Sequence, residues 1–418
     1  MTDTREDTFL SAGIQQLIAS YREGYALPRA FYCDTALYTH ELERIWRQDW
    51  LFAGHTCELP RPGDFFTFTL DTDPVLVIRA DEQHICAFHN VCTHRGTLLC
   101  EEERGHVRAL VCPYHQWTFA RNGSLLSCVG MQEGIDKTRL GLRPLPIETC
   151  EGLIFVSFAQ TPPPFGEAGE VLAHQAHMQG LVHAKVAKVI DYEVAANWKL
   201  VWENNRECYH CNVNHPQYIK SNFDIYEDEQ SSPIMQQRLE EALARSKAAW
   251  QDEGLEIMHQ HGGLAAFPDA GRNIWYSATR TVLREGYESE SMDGRRVAPL
   301  MGAYRNAHRG VLRLRTLPNF WNHSSCDLAV STRLLPAGLN RTKVRVTWLV
   351  AEDAREEIDY HPDELITFWQ LTSEQDWELC EREQRGVRST GYRPGPLSHT
   401  REYNLEAFLR WYVRQLSS

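Results

Sequence analysis

The spacing of apolar and polar residues divides the chain into a helical beginning, a β-rich middle and a mixed remainder. Residues 8–50 carry apolar side chains at helical spacing, which predicts helices there. From Trp50 onward, the apolar runs are short, rich in β-branched and aromatic residues, and bounded by proline and glycine, which favours strands. Such runs occupy residues 65–70, 75–78, 85–88, 107–111, 117–119 and 153–158.

The second half of the chain mixes strand and helix patterns. Residues 161–166 are rich in proline and have the composition of a linker. Strand patterns follow at residues 188–194 and 273–350, and helical patterns at 197–210, 226–253 and 362–385. The last of these helices is predicted to begin at Pro362, because proline is favoured in a first helical turn.

The length of the chain supports a division into domains, since 418 residues are many for a single core. We predict an α+β protein in three parts. Residues 1–47 form helices that pack on the larger domain, residues 48–160 form a small all-β domain, and residues 161–418 form the larger domain, an antiparallel sheet flanked by helices.

The composition excludes several classes of protein. A formal net charge of −13 argues against nucleic-acid binding, which needs a basic surface. No apolar run approaches the length of a membrane span, and the N-terminus is polar and acidic, unlike a signal peptide. We therefore expect a cytoplasmic protein that binds neither nucleic acid nor a membrane. Eight of the 12 cysteines lack disulfide-like spacing and are expected to be reduced thiols: Cys33, Cys57, Cys86, Cys100, Cys128, Cys150, Cys326 and Cys380.

Two Cys–His pairs are the strongest chemical signal in the chain. Cys92 and His94 form a Cys-x-His pair, Cys112 and His115 form a Cys-x-x-His pair, and seventeen residues separate the two pairs. Two thiolates and two imidazoles suit either a tetrahedral zinc ion or a [2Fe–2S] cluster in which both imidazoles bind one iron. A zinc finger would group its cysteines together and its histidines together, whereas here each loop brings one of each. The pattern resembles the Rieske cluster motif.

A second group of potential metal ligands contains His210 and His215. On an unbroken helix, a separation of five residues would rotate these side chains roughly 140° from each other. A shared metal therefore requires the helix to loosen, which Asn212, Asn214 and Pro216 would permit. Two histidines leave a divalent metal short of ligands, and two histidines with one carboxylate are the arrangement that non-haem Fe(II) uses with O2.

The carboxylate is not fixed by the residues alone, and Asp376 is one candidate among several. Its neighbours at three and four residues form a weakly polar to apolar helix face, and an acid on such a face needs a partner such as a metal. These neighbours are Thr372, Ser373, Leu379 and Cys380.

Over nearly its full length the chain resembles the oxygenase component of the Rieske non-haem iron oxygenases. The Rieske motif, a linker, Glu-x-x-His-x4-His and a C-terminal acid follow in that order. Residues 198–216 and 372–380 resemble the branch that acts on quaternary ammonium compounds such as glycine betaine, stachydrine and carnitine. The resemblance implies a [2Fe–2S] cluster on the two Cys–His pairs, and Fe(II) bound by His210, His215 and Asp376.

The resemblance also gives a role to Glu207, three residues before His210. In the family, a carboxylate at this position bridges the two metal centres across a subunit contact, and the quaternary-amine branch has Glu where aromatic-ring dioxygenases usually have Asp. The implied assembly is a head-to-tail homotrimer. His115 of one chain would contact Glu207 of its neighbour, and Glu207 would hold His210.

The implied reaction is an oxidative N-demethylation by a monooxygenase. A separate NAD(P)H-dependent flavin and iron–sulfur reductase would supply electrons, because the chain has no G-x-G-x-x-G nucleotide fingerprint of its own. One oxygen atom of O2 would enter an N-methyl group of a quaternary ammonium compound, with stachydrine or glycine betaine favoured, and formaldehyde would be released. The alternatives are an aromatic-ring-hydroxylating dioxygenase alpha subunit, against which Glu207 argues, and a non-catalytic Rieske electron-transfer protein.

A permanent cation cannot lose its charge by deprotonation, so aromatic rings are suitable receptors for it. Cation–π contacts are worth about 2 kcal/mol or more when they are desolvated. The candidate cage residues in the larger domain are Trp275, Tyr276, Phe320, Trp321, Phe368 and Trp369.

Overall fold

The computed structural model describes residues 12–223, 232–252 and 276–417. The helices are α1 (Ala12–Ala19), α2 (Ala30–Cys33), α3 (Thr35–Glu41), α4 (Gly166–Ala176), α5 (Trp198–Asn205), α6 (Cys211–Asn214), α7 (Tyr218–Ser221), α8 (Pro233–Asp252), α9 (Pro362–Val387) and α10 (Tyr403–Ser417). A π-helix covers Leu42–Trp46, and 3-10 helices cover Thr56–Glu58, Lys137–Arg139, His177–Gln179 and Leu181–His183. The strands are β1 (Leu51–His55), β2 (Asp64–Leu70), β3 (Asp73–Arg79), β4 (Ile85–His89), β5 (Arg104–His106), β6 (Leu110–Val111), β7 (Thr118–Phe119), β8 (Leu125–Ser127), β9 (Pro144–Leu145), β10 (Ile147–Cys150), β11 (Leu153–Val156), β12 (Ala184–Val194), β13 (Tyr276–Thr281), β14 (Val311–Thr316), β15 (Phe320–Ser324), β16 (Ala329–Pro336) and β17 (Thr342–Ala351).

Antiparallel strands build the smaller domain, and the predicted all-β fold is confirmed. The strand orders in its three sheets are β5-β2-β3-β4-β9, β6-β7-β8 and β1-β11-β10. Successive side chains of β2 and β3 face opposite sides of their sheet. The pair Phe65 and Ile78 belongs to a small core that contains both motif cysteines, whereas the next pair, Phe66 and Val77, packs into the main core of the molecule. One sheet therefore separates the Cys–His loops from the rest of the protein.

The larger domain is an antiparallel sheet with helices against it, so the predicted α+β class is confirmed. The six strands have the order β12-β17-β16-β15-β14-β13. Helix α9 contacts both β12 and α5, and it begins at Pro362 as the sequence predicts. Although α9 is 26 residues long, neither it nor any other helix in the described part of the chain is both long and apolar enough to cross a membrane.

The N-terminal helices pack on α5 of the larger domain. The Tyr32 hydroxyl donates to both carboxylate oxygens of Glu203, at 3.1 and 3.0 Å. Glu41 and Lys199 form a fully buried ion pair at 2.6 Å. These contacts cross from α2 and α3 to α5, and the boundaries at residues 47 and 160 stay predictions.

The prediction of one helix over residues 197–210 is wrong in its second half. Helix α5 starts where the Asn197 side chain accepts a hydrogen bond from the backbone N–H of Lys199, and it ends at Asn205. The Glu207 carboxylate then accepts hydrogen bonds from the backbone N–H groups of Tyr209 and His210. Side-chain acceptors of this kind compete with helical hydrogen bonds. Residues 206–210 consequently form a loop, which frees His210 from the register of α5.

The free cysteines include all eight that were expected to be reduced, together with Cys92 and Cys112. Cys208 and Cys211 form a disulfide, which the sequence pattern did not predict. The loop after α5 therefore carries a covalent link beside the second group of potential ligands.

Asp49 is a buried carboxyl group, and its burial predicts an effect on folding stability that depends on pH. It is 4% exposed, and burial raises its pKa from 3.8 to about 7. In the unfolded chain the Asp49 carboxyl loses its proton near its ordinary pKa, whereas in the folded protein it keeps the proton up to the raised pKa. The free energy of unfolding therefore falls as the pH rises between the two pKa values, by about 1.4 kcal/mol per pH unit. We expect Asp49→Asn to remove this pH dependence. The unfolding free energy of the variant minus that of the wild type should therefore increase with pH between the two pKa values. Denaturant titrations at several pH values measure it.

The exposed residue Glu43 supplies a matched control for this prediction. Glu43→Gln removes a carboxyl group from the neighbouring helical turn and should leave the pH dependence unchanged. An Asp49→Asn protein with the same pH dependence as wild type would contradict the assigned cause.

Candidate functional site

The two Cys–His loops have the same backbone hydrogen-bond pattern. In each loop the cysteine N–H donates to the carbonyl five residues later, at 2.8 Å, and the N–H four residues later donates back to the cysteine carbonyl, at 2.9 and 3.0 Å. The residue at this fourth position has a positive φ in both loops, 79° at Gly96 and 59° at Gln116. Glycine adopts this conformation without steric cost, whereas the loop's own hydrogen bonds hold Gln116 in it.

The structure brings the four predicted cluster ligands together at these loops. Cys92 and Cys112 are 2% and 1% exposed, and the neighbouring Cys112 thiol contributes to raising the pKa of Cys92. The rings of His94 and His115 lie 4.7 Å apart between centroids. In both histidines Nδ1 is buried and has no hydrogen-bond partner among the described residues. Buried polar atoms are normally paired, so these two nitrogens and two thiols fit the ligand set of a Rieske [2Fe–2S] cluster.

The backbone of the second loop favours a thiolate at Cys112. Burial raises the pKa of this thiol, but hydrogen bonds from the N–H groups of Tyr114 and His115 outweigh burial, and the pKa lies below its usual value. At Cys92, hydrogen bonds from the N–H groups of His94 and Arg95 act in the same direction, but burial prevails and the pKa is raised. Since thiolates are the metal-binding form, these N–H groups stabilise the charge that an iron ion requires.

Aromatic contacts that the sequence analysis missed fix the orientation of both histidine rings. Trp117 stacks on His94 with centroids 4.6 Å apart and planes 5° apart. Tyr114 stacks on His115 at 3.7 Å, and the Arg95 guanidinium lies 5.1 Å from the Tyr114 centroid. The only sequence signal for this arrangement is the presence of aromatic residues inside and directly after the second motif.

His210, His215 and Asp376 converge at a second site. Asp376 Oδ1 lies 3.2 Å from His210 Nε2 and 2.8 Å from His215 Nε2. Ligands that bind one ion at about 2.0–2.2 Å in tetrahedral or octahedral geometry lie roughly 3 Å apart, so these separations suit a shared metal. The three side chains come from the loop after α5, the end of α6 and the middle of α9.

The charges around His210 favour a cation at this site. Burial lowers the pKa of His210, but the carboxylates of Asp376 and Glu207 outweigh burial and raise it to about 10. Burial raises the pKa of Asp376, but hydrogen bonds and charge from the two histidines outweigh burial and lower it to about 2. A metal ion can take the place of the proton that these carboxylates stabilise, because the imidazole binds metal in its neutral form.

Glu207 holds His210 from the side opposite Asp376. Its Oε1 lies 2.5 Å from His210 Nδ1, while Oε2 accepts the two backbone hydrogen bonds that end α5. The predicted helix over residues 197–210 would place Glu207 and His210 on one face, but α5 ends at Asn205 and both residues lie in the loop. Their contact is made within a turn, and a hydrogen bond at Nδ1 directs Nε2 toward Asp376.

Gln375 orients His215 in the same way, a role that the sequence pattern did not indicate. Its Oε1 lies 2.8 Å from His215 Nδ1 and 2.9 Å from the Nε2 amide nitrogen of Gln217. Gln217 Nε2 also donates to Thr372 Oγ1 at 2.9 Å. Adjacent residues of α9 thus contact opposite nitrogens of one imidazole, since Asp376 contacts Nε2. An amide next to a candidate carboxylate is too common a pattern to be recognised from sequence.

Removal of the Gln375 side-chain amide tests this positioning role. We expect Gln375→Leu to weaken Fe(II) binding at this site about 10–100-fold, which is the usual effect of losing a partner of a ligating histidine. Titration of the iron-depleted protein with Fe(II) measures the change. Gln370→Leu is the matched control. Gln370 lies on the same helix, but its side chain donates a hydrogen bond to Glu374 on an exposed part of that helix, so this variant should bind iron normally. Unchanged iron affinity in Gln375→Leu would show that the contact is incidental.

The structure scatters the candidate cage residues. Phe320 packs against Phe52 at 4.1 Å, in the contact between the two domains, and Trp321 packs against Trp202 at 5.1 Å. Tyr276 is buried on β13, the edge strand of the sheet, and Trp275 lies outside the described residues.

Phe368 and Trp369 are the candidates that share an element with the metal site. Their rings lie 5.6 Å apart on α9, and Trp369 lies 4.3 Å from the ring of His323 and 6.0 Å from that of Tyr218. Seven residues are nearly two helical turns, so Trp369 and Asp376 lie on the same face of α9.

The smaller domain is suited to an iron–sulfur cluster, and the larger domain is suited to mononuclear iron. Together they are the two parts of a non-haem iron oxygenase that carries its own electron acceptor. Residues 49–138 match the Rieske [2Fe-2S] domain, and residues 181–418 match the ring hydroxylating alpha subunit (catalytic domain). The chain belongs to the Rieske non-haem iron oxygenase family as an oxygenase alpha subunit. It is therefore an oxidoreductase whose cofactors are a [2Fe–2S] cluster and mononuclear non-haem iron.

Similar proteins cover nearly the whole chain. The glycine betaine monooxygenase oxygenase subunit of Pseudomonas aeruginosa is 39% identical over 402 residues, which span 96% of this chain and 91% of the relative. The same subunit of Chromohalobacter salexigens is 39% identical, and the match covers 94% of this chain and 86% of that subunit. The solved structure of a quaternary ammonium Rieske monooxygenase has a TM-score of 0.72 at 21% identity and covers 95% of this chain and 97% of its own, which supports the fold.

Proposed function

We propose that the protein is a monooxygenase that hydroxylates an N-methyl group of a quaternary ammonium compound, with stachydrine or glycine betaine favoured. The observation that carries the proposal is the 39% identity to glycine betaine monooxygenase oxygenase subunits across 96% of the chain. Carnitine monooxygenase oxygenase subunits, such as that of Acinetobacter baumannii, are 30% identical over 47% of the chain and represent related chemistry.

The geometry of the two sites supports a ligand set for each metal centre. We propose Cys92, His94, Cys112 and His115 for the cluster. For the mononuclear iron we propose His210, His215 and Asp376. When bound there, Fe(II) supplies O2 activation at its open coordination positions. Each Nδ1–H donates a hydrogen bond, from His210 to Glu207 and from His215 to Gln375, and these bonds keep each Nε2 directed at the metal position.

The reaction consumes O2, two electrons and two protons for each methyl group. One oxygen atom enters a methyl C–H bond and the other leaves as water. The N-hydroxymethyl product then breaks its C–N bond, releasing formaldehyde, a proton and the tertiary amine. A separate NAD(P)H-dependent flavin and iron–sulfur reductase supplies the electrons, and a [2Fe–2S] cluster held by Cys92, His94, Cys112 and His115 would accept them one at a time.

Trp369 is the strongest candidate for contact with the substrate cation. It shares a helix face with Asp376, and its neighbours Tyr218 and His323 add two further rings. A quaternary ammonium group held against these rings would gain cation–π attraction without needing a counter-ion.

We further propose a head-to-tail homotrimer in which His115 of one chain approaches Glu207 of the next. Exposed apolar side chains lie beside both sites, and they support a contact there because such groups mark interaction surfaces. Leu98 and Tyr114 are 37% and 57% exposed beside the cluster loops, and Tyr209 and Val213 are 56% and 82% exposed beside His210. In the trimer these two surfaces would cover each other.

The decisive experiment measures O2 uptake and formaldehyde release with a suitable reductase, comparing stachydrine, glycine betaine and carnitine. We expect O2 consumption that depends on one of these substrates, with one formaldehyde for each O2. The biphenyl 2,3-dioxygenase alpha subunit of Rhodococcus jostii is 33% identical over 48% of the chain, so aromatic substrates belong in the same assay. A cis-diol product without formaldehyde would establish a dioxygenase, and a protein with two irons per chain and no O2 uptake would be an electron carrier.

A further inference from the structure

The Cys208–Cys211 disulfide lies directly beside the proposed iron site. Cys211 Sγ is 3.9 Å from His210 Nε2, the ring nitrogen that faces Asp376. The group of Cys211, His210 and His215 offers one sulfur and one ring nitrogen from each histidine, and these three atoms all lie within 4.8 Å of one another. The hydroxylation outlined above uses neither sulfur atom, so the position of this pair needs another explanation.

Both cysteines are closed to bulk solvent. Cys208 is 6% exposed and Cys211 is 5% exposed. An oxidant that diffuses in from solution reaches partly exposed thiols such as Cys33 and Cys57 more readily. An oxidant produced at His210 and His215 instead meets Cys211 Sγ at once. Because of its position and its burial, the pair should react mainly with oxidants that form at the iron.

We propose that Cys208 and Cys211 form a redox-active pair that consumes hydrogen peroxide released at the iron site and so protects His210 from oxidation. The proposal rests on the position proposed for the mononuclear iron. Hydrogen peroxide forms when O2 takes up two electrons and two protons but no substrate is hydroxylated. A thiol pair beside the metal removes this product before it leaves the site.

The chemistry balances in two steps. The Cys211 thiolate attacks one peroxide oxygen, the O–O bond breaks, and a sulfenic acid and hydroxide form. The Cys208 thiol then attacks the sulfenic sulfur, which forms the disulfide and expels water. With the proton released by Cys211, one hydrogen peroxide and two thiols give one disulfide and two water molecules. A dithiol reductant in solution returns the disulfide to two thiols by exchange.

The geometry assigns the two roles. Cys211 is the residue whose sulfur lies against His210, so it reacts with peroxide first. Cys208 lies across the turn, with a Cα–Cα distance of 5.0 Å, which is within the range that disulfides require. The loop that carries His210 therefore accommodates the closed disulfide.

Stepwise addition of O2 to the reduced holoenzyme, without an organic substrate, tests the proposal, because hydrogen peroxide then arises at the iron site and not in bulk solution. Differential alkylation and peptide mass spectrometry then report the state of each cysteine and of His210. We expect the first equivalent of O2 to join Cys208 to Cys211, with Cys326 still a free thiol and His210 unmodified. Oxidation of His210 should begin only after the pair is consumed.

Three variants make the test specific. In Cys211→Ser, oxidation of His210 should begin with the first equivalent and proceed several-fold faster than in wild type. In Cys208→Ser, a sulfenic acid should accumulate at Cys211 and react with dimedone. Cys326→Ser removes a fully buried thiol elsewhere and should behave as wild type. Cluster absorbance confirms that each variant is folded.

Two results would overturn the proposal: oxidation of His210 in wild type while the pair is still reduced, or the same rate of His210 oxidation in Cys211→Ser as in wild type. A different result would show that the iron does not bind at the proposed position: an Asp376→Ala protein, prepared in parallel, would keep its full content of mononuclear iron.

Discussion

Asp376→Ala should lose the mononuclear iron and keep the [2Fe–2S] cluster. Asp376 Oδ1 is the atom that both His210 Nε2 and His215 Nε2 approach, at 3.2 and 2.8 Å. Without it, two neutral imidazoles remain, and a divalent ion loses its only anionic ligand among the proposed three. We expect iron to fall from about three to about two per chain, and hydroxylation to fall to background, because the remaining two irons belong to the cluster. Metal analysis and cluster absorbance on the same sample measure both.

The matched control is Glu374→Ala, two residues away on α9. Glu374 is exposed and accepts a hydrogen bond from Gln370 at 2.9 Å, so it points away from the histidines. This variant should keep all of its iron and its activity. Full iron content together with normal turnover in Asp376→Ala would rule out Asp376 as a ligand.

The parts of the structure that the sequence predicts well are those set by local patterns. The Cys–His loops are recognisable because cluster ligands need turns and short spacing, and the loops close on themselves through two backbone hydrogen bonds each. Helix α9 is predicted almost to its ends, because Pro362 fixes its start and its amphipathic pattern continues to the last turn. The α+β class follows from the same two kinds of periodicity.

The features that the sequence does not predict depend on side chains that meet across the fold. The early end of α5 at Asn205 depends on the Glu207 carboxylate binding the backbone, and helical periodicity does not contain that information. The role of Gln375 depends on His215, which is far away in the chain. Aromatic composition likewise does not separate Phe320, which fills the contact between domains, from Trp369, which lies on the face of α9 that carries Asp376.

Glu207→Ala should stop multiple turnover while both metal centres stay spectroscopically present. We propose that Glu207 connects the cluster ligand His115 of one subunit with His210 of the next, so its removal interrupts electron transfer even when iron still occupies the site. We expect turnover to fall at least about 100-fold, because misplacement of a connecting group by even a short distance has effects of this size. The cluster should still be reducible, and the reduced protein should fail to pass electrons onward in stopped-flow measurements.

Glu207 also binds His210 Nδ1 at 2.5 Å and the backbone of its own loop, so a local role must be distinguished from the bridging role. Glu207→Gln keeps an oxygen that can accept the Nδ1–H hydrogen bond but removes the charge, and it should retain iron more tightly than Glu207→Ala. If the bridge is the main function, the cluster of both variants should be reduced at the normal rate but reoxidised slowly, and extra Fe(II) should rescue neither. If Glu207 acts only by orienting His210, added Fe(II) should restore turnover in Glu207→Ala. Multiple turnover at the wild-type rate in either variant would remove Glu207 from the path of the electron.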